Sequence, residues 1–145
     1  MIALIQRVTE ARVVVDDEIV GAIGAGMLAL IGIEREDADA NARRMVERLL
    51  GYRIFADEAG RMNRSLRDVA GGLLLVPQFT LAADTRKGTR PGFSSAAEPA
   101  RAEALFSDLA EFADAEHAPV ACGRFGAEMF VTLTNHGPVT FRLET

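Results

Sequence analysis

The stretch "GMLALIGI" at residues 26–33 constrains the fold more than any other part of the chain. It carries no polar side chain at either parity, so a strand built from it cannot leave one face in water. It belongs in the middle of a sheet, covered on both sides. A second run, "LLLVP" at 73–77, reads the same way as far as Val76. There Pro77 removes a backbone donor and disfavours a central ladder position, so the chain is expected to leave plain pairing.

The neighbours of these runs are short strands. Residues 2–8, 11–15 and 18–23 are β-rich, and "DDE" at 16–18 reads as a hairpin turn. Asp39 reads as the N-cap of a helix that places Met45, Val46, Leu49 and Leu50 on one face. "RIFAD" is a short strand, followed by a loop broken at Gly60 and Gly71-Gly72. A second helix is expected from about Glu98, with Leu105, Phe106, Leu109 and Phe112 as its buried stripe. Strands near 118–122, 127–134 and 138–143 finish the chain, with "NHGPVT" (135–140) as the turn between the last two. Local statistics make its Gly137-Pro138 bond trans, since X-Pro bonds are cis in roughly one case in twenty.

Strands outnumber helices, which predicts a mixed α/β fold: a twisted, partly closed, barrel-like sheet with two amphipathic helices packed on one side. At 145 residues and 49% hydrophobic content, residues 1–145 form one domain with a single sizeable core. The opening "MIALIQRV" lacks the basic start and apolar stretch of an export signal, and "MLALIGI" is far too short to span a membrane. A soluble, cytoplasmic protein without a membrane partner is expected. The lone Cys122 has no disulfide partner and reads as a small hydrophobe.

A net charge of −5 argues against a protein that holds nucleic acid through a wide basic surface. One compact basic cluster, Arg86, Lys87 and Arg90, remains as either a solvated loop or a phosphate contact. "GAIGAG" lacks the helix and basic residue of a phosphate loop, and there is no Gly-x-Ser-x-Gly elbow. His117 and His136 stand alone, without ligand spacing, so no metal and no cofactor is expected. An enzyme built this way has to work by positioning, by backbone dipoles or by groups on its substrate. Two stretches could serve: "PQFTL", where Gln78 and Thr80 would face away from Phe79 and Leu81 along a strand, and "NHGPVT".

At these stretches the chain resembles the D-aminoacyl-tRNA deacylase family, also called D-tyrosyl-tRNA deacylases. "MIALIQRV", "GYRIFAD", "GRMNRSL", "QFTLAADTRKGTRPGFS", "GRFGAEM" and "NHGPVT" resemble family signatures in the family's order, over essentially the whole chain. The resemblance implies a homodimer with active sites at the subunit interface, where a cis Gly137-Pro138 segment of one subunit enters the site of the other. Its two carbonyls would hold the α-ammonium of the aminoacyl group by charge-assisted hydrogen bonds, admitting D and rejecting L side chains. The implied substrate is aminoacyl-tRNA, gripped at its 3′-terminal adenosine, with some activity on glycyl-tRNA because glycine has no side chain to reject.

The family's Ser-Gln-Phe-Thr-Leu signature reads Pro-Gln-Phe-Thr-Leu here, so no serine at position 77 can attack the ester. The resemblance then offers the Phe79 and Thr80 backbone N–H groups to polarise the ester carbonyl, or Thr80 as a covalent nucleophile that lacks a visible base. Gln78 and Arg7 would brace the site. Phe125 and Met129 resemble residues near the terminal adenine, and Arg86, Lys87 and Arg90 would meet acceptor-stem phosphates. The alternative is a non-catalytic RNA-binding or assembly module that kept the fold.

Overall fold

The structure is a computed structural model and describes residues 1–145. Its main sheet has six strands and is organised by β1 (Ile2–Val15). The first half of β1 pairs antiparallel with β3 (Gly26–Gly32), and its second half with β2 (Glu18–Ile23). Along the other edge β1 pairs with β8 (Phe130–Glu144). β6 (Gly72–Pro77) lies parallel to β3, and β7 (Val120–Cys122) parallel to β6. β4 (Phe55–Ala56) and β5 (Met62–Arg64) form a separate small hairpin. The helices are α1 (Asp39–Gly51), the single turn α2 (Leu66–Val69) and α3 (Pro99–Glu116).

The sheet curls until β2 approaches β7. A Cβ at Gly21 of β2 would lie 2.5 Å from the Cys122 carbonyl oxygen, so only glycine allows that approach. The result is a nearly closed barrel with helices outside, the mixed α/β architecture that the strand-rich pattern predicts.

Burial explains the polar-free runs. Met27, Ala29 and Ile31 of β3, with Leu73 and Leu75 of β6, pack beneath Met45, Leu49 and Leu50 of α1 and Leu105, Phe106 and Leu109 of α3. The alternate residues Leu28, Leu74 and Val76 point into the barrel among Val8, Val13, Val15 and Ile23. Each fully buried Leu or Ile contributes roughly 1.5–3 kcal/mol, so these strands are tied from both faces. A polar side chain at either parity would be buried without a partner.

Several expectations change in detail. Residues 2–8 and 11–15 are one strand, because β1 is shared by two short neighbours on one edge and a single long one on the other. Residues 130–144 are likewise one strand, so the expected turn at "NHGPVT" is a bulge within β8. Asp16 and Asp17 do form the β1–β2 hairpin turn, both at positive φ (51° and 64°), as a two-residue turn matched to strand twist requires. Asp39 opens α1 instead of capping it. Ala38 is the N-cap, and its N–H donates to Asn41 Oδ1 at 3.0 Å. α2 was not anticipated from the sequence; Ser65 and Asp68 cap its start reciprocally. Phe112 of α3 is only half-buried, and the Arg43 guanidinium lies 3.8 Å from its ring centroid. No helix is long and apolar enough to cross a membrane.

Candidate active site

"PQFTL" does not continue as a strand. Pro77 is the last residue of β6, opposite Ile31, and Phe79–Ala82 wind into a 3₁₀ turn. The alternation expected for Gln78 and Thr80 against Phe79 and Leu81 is therefore lost. Proline ends the donor ladder, and the next N–H, that of Gln78, makes a last bond to the Ile31 carbonyl at 2.7 Å before the chain turns. Within the turn Leu81 N–H donates to Gln78 O and Ala83 N–H to Thr80 O. The N–H groups of Phe79 and Thr80 have no protein acceptor, as expected for the first donors of a helical turn. Gln78 Nε2 donates to Thr80 Oγ1 at 2.5 Å, which ties the two polar side chains together.

This turn borders a cleft of about 660 Å³, within the range of small-molecule sites. Gln78, Phe79, Phe125 and Met129 line it together, with Phe93 and Arg35 among the other walls. Phe79 is 59% exposed and Phe93 41% exposed, and their rings meet at 5.1 Å between centroids. Two large aromatic rings left in water at the mouth of a cleft offer stacking surface. Thr80 is exposed beside the cleft and is not part of its lining.

Arg7, Gly137 and Pro138 gather elsewhere. β8 is in register with β1 at Val8–Asn135 and again at Gln6–Thr140, so His136, Gly137, Pro138 and Val139 all bulge opposite the single residue Arg7. The Gly137-Pro138 bond is cis, against the trans expected from local statistics. A bulge removes backbone groups from the ladder, and side chains satisfy them. Arg7 Nε donates to His136 O at 2.8 Å and Nη1 to Ile54 O at 2.7 Å. Asn135 Nδ2 donates to Arg7 O and Val139 O at 3.0 and 3.1 Å. Val139 is buried and anchors the bulge, leaving Gly137 and Pro138 exposed.

The two groups are not brought together within one chain. Arg7 pairs with Met27 of β3, whereas Gln78 bonds to Ile31, four residues further along. At ~3.3 Å per residue that is about 13 Å along the strand, before the width of the sheet is added.

In the basic loop, Arg86 forks onto its neighbour Asp84 through Nε and Nη2 at 2.9 and 2.8 Å. Those hydrogen bonds, with the Arg86 backbone N–H, hold the Asp84 carboxyl well below the usual carboxylate range. Lys87 and Arg90 make no ion pair. His117 Nε2 lies 2.6 Å from the Gly71 carbonyl oxygen, a structural contact away from both groups.

The family model described as D-Tyr-tRNA(Tyr) deacylase matches residues 4–144. The chain belongs to this family. A D-aminoacyl-tRNA deacylase of Thioalkalivibrio sulfidiphilus is 65% identical over 144 residues, covering 99% of this chain and 97% of the relative. One of Stutzerimonas stutzeri is 63% identical over 145 residues, covering both chains fully. Among solved structures, a c-Myc DNA Unwinding Element Binding Protein superposes with a TM-score of 0.95 at 38% identity, covering 100% of this chain and 99% of that one. A probable eukaryotic D-amino acid tRNA deacylase superposes at 0.84 with 19% identity, covering 99% and 98%, which shows the shared fold.

For a member of the D-Tyr-tRNA(Tyr) deacylase family, the sequence reading left out three residues that the structure makes prominent. Phe93 joins Phe79 at the cleft, Asn135 staples the bulge, and Gly32 lies beneath the 3₁₀ turn. Phe93 and Asn135 fall inside "QFTLAADTRKGTRPGFS" and "NHGPVT", where composition marks a loop but not a role. Gly32 carried no signal beyond its place inside the apolar run 26–33.

Proposed function

We propose that the chain hydrolyses the ester of D-aminoacyl-tRNA to free D-amino acid and tRNA, as a homodimer in the cytoplasm. The observation that carries the interface reading is the separation of Arg7, Gly137 and Pro138 from the Gln78–Thr80 turn within one chain. A two-fold partner would supply the bulge of one subunit to the cleft of the other, completing a site that neither holds alone.

In this reading the Phe79 and Thr80 N–H groups, which have no protein acceptor, polarise the ester carbonyl. The 2′-hydroxyl of the terminal adenosine helps activate the attacking water. The Gly137 and Pro138 carbonyls of the partner accept hydrogen bonds from the α-ammonium. With amine and ester both held, a D side chain leaves toward solvent and an L side chain strikes backbone. A thousandfold preference needs about 4 kcal/mol, which a rigid backbone clash supplies and an apolar pocket does not. Glycyl-tRNA, with no side chain to reject, is a side substrate. Gln78 steadies Thr80, and Arg7 braces the bulge.

Phe125 and Met129, in the cleft wall, receive the terminal adenine. Lys87 and Arg90 meet acceptor-stem phosphates more freely than Arg86, whose charge Asp84 already matches. The likeness to a protein named for DNA binding favours the rival reading of a non-catalytic nucleic-acid module. Parallel incubation with D-tyrosyl-tRNA and L-tyrosyl-tRNA separates the readings. Release of D-tyrosine alone is expected. Equal rates on both would refute the chiral gate, and binding of both without release would favour the rival.

A further inference from the structure

The turn on which the proposed chemistry rests lies on a residue with no side chain. Gly32 ends β3 and pairs with Ile2 on one side. On the other, the Phe79–Ala82 turn crosses it closely. A Cβ at Gly32 would lie 2.8 Å from Leu81 Cβ, 3.2 Å from Gln78 O and 3.5 Å from Ala82 N. The nearest of these atoms is bonded to the turn's own backbone, so no rotamer change relieves the contact. The turn itself would have to lift, by about 0.6 Å, to reach the 3.4 Å of an ordinary contact.

Lifting is resisted at both ends. Gln78 N–H is bonded to Ile31 O at 2.7 Å, and Ser95 Oγ donates to Ala82 O at 2.6 Å. Gly32 is not needed for its conformation, because its φ lies outside the left-handed region. Alanine would suit a strand better than glycine if space were the same. What glycine supplies at this position is clearance.

We propose that Gly32 is a positioning residue for the deacylase reaction: its bare Cα is the seat that sets the height of the Phe79–Ala82 turn, and so the aim of the Phe79 and Thr80 N–H groups. The inference rests on the reading of that turn given under the proposed function.

The test compares the wild type with Gly32→Ala, with Gly24→Ala, and with Gly32→Ala combined with Leu81→Gly. Gly24 has nothing within 4 Å of a built Cβ, so its variant controls for the loss of a glycine. Steady-state kinetics on D-tyrosyl-tRNA and backbone amide NMR shifts are read on each. For Gly32→Ala, kcat falls about 10- to 100-fold, because a misplacement approaching 1 Å can cost that much, while KM stays within about twofold. Its amide shifts move mainly in residues 78–83 and at the strand end beneath them. Gly24→Ala matches the wild type, and removing the Leu81 side chain from the Gly32→Ala background restores part of the lost kcat.

Wild-type kcat in Gly32→Ala would overturn the proposal, as would turn shifts without a kcat change. If Gly32→Ala does not fold, recovery of fold and turnover in the double variant supports the seat, and no recovery overturns it. A wild type that releases no D-tyrosine would overturn the functional reading and the catalytic half of this one. The amide shifts would still decide whether Gly32 seats the turn.

Discussion

Placing a methyl group on Gly137 tests how the β8 bulge is held. An alanine Cβ there would lie 2.1 Å from Asn135 Oδ1 and 2.5 Å from the Val139 backbone nitrogen. The first contact expels the Asn135 side chain and the second shifts the loop. Expulsion breaks the hydrogen bonds from Asn135 Nδ2 to Arg7 O and Val139 O. At about 1 kcal/mol net each, the protein loses about 2 kcal/mol. For a chain of this size that lowers Tm by about 4–8 °C, read by circular dichroism.

Asn135→Ala removes the same two hydrogen bonds without adding a Cβ, so it should lose a similar amount of stability. The two variants part in activity. Gly137→Ala moves carbonyls that the proposed gate uses and should lower D-tyrosyl-tRNA hydrolysis at least about 100-fold. Asn135→Ala, with the bulge still tied by Arg7, should keep more of it, and sedimentation should find both variants in the wild-type assembly state. A Gly137→Ala protein that melts within about 1 °C of wild type and turns over at the wild-type rate would refute the reasoning.

Two further outcomes are expected. Thr80→Ala removes the Gln78–Thr80 hydrogen bond but leaves the backbone N–H, so single-turnover rates should stay within about tenfold of wild type. A loss beyond about a thousandfold at unchanged KM would restore the covalent reading. Cys122 gives a pH prediction, because burial, with a smaller effect from the Asp114 charge, pushes its thiol above the ordinary value. As pH rises past that ordinary value, the unfolded chain loses the proton first. The stability Cys122 contributes is thus complete below it and lost as pH climbs through the raised value. Urea midpoints at pH 8 and pH 10 should differ more for wild type than for Cys122→Ala, and equal differences would count against a half-buried thiol held neutral by its surroundings.

The sequence by itself determined which segments are buried and where the ladder of β6 ends. "GMLALIGI" and "LLLVP" have no polar parity, and that alone makes them interior strands between helices and barrel lumen. Pro77 marked the end of a ladder for a reason internal to its own ring. Local chemistry also located the Asp16-Asp17 hairpin and the apolar faces of α1 and α3, because those signals lie within a few residues of one another.

Tertiary structure decided what depends on distant neighbours. Whether residues 2–15 are one strand or two depends on β2, β3 and β8 lying alongside, and nothing inside the segment reports this. "NHGPVT" reads as a turn locally and is a bulge because β1 holds register on both sides of it, with Arg7 and Asn135 satisfying the freed groups. Gln78 leads into a 3₁₀ turn that contains Thr80, in place of a strand, because the chain end of β6 is free to fold over Gly32, 46 residues before Gln78 in sequence. The clearance above a glycine, and the separation of Arg7 from Gln78 along β3, are distances between elements. They come into being only when the sheet is assembled.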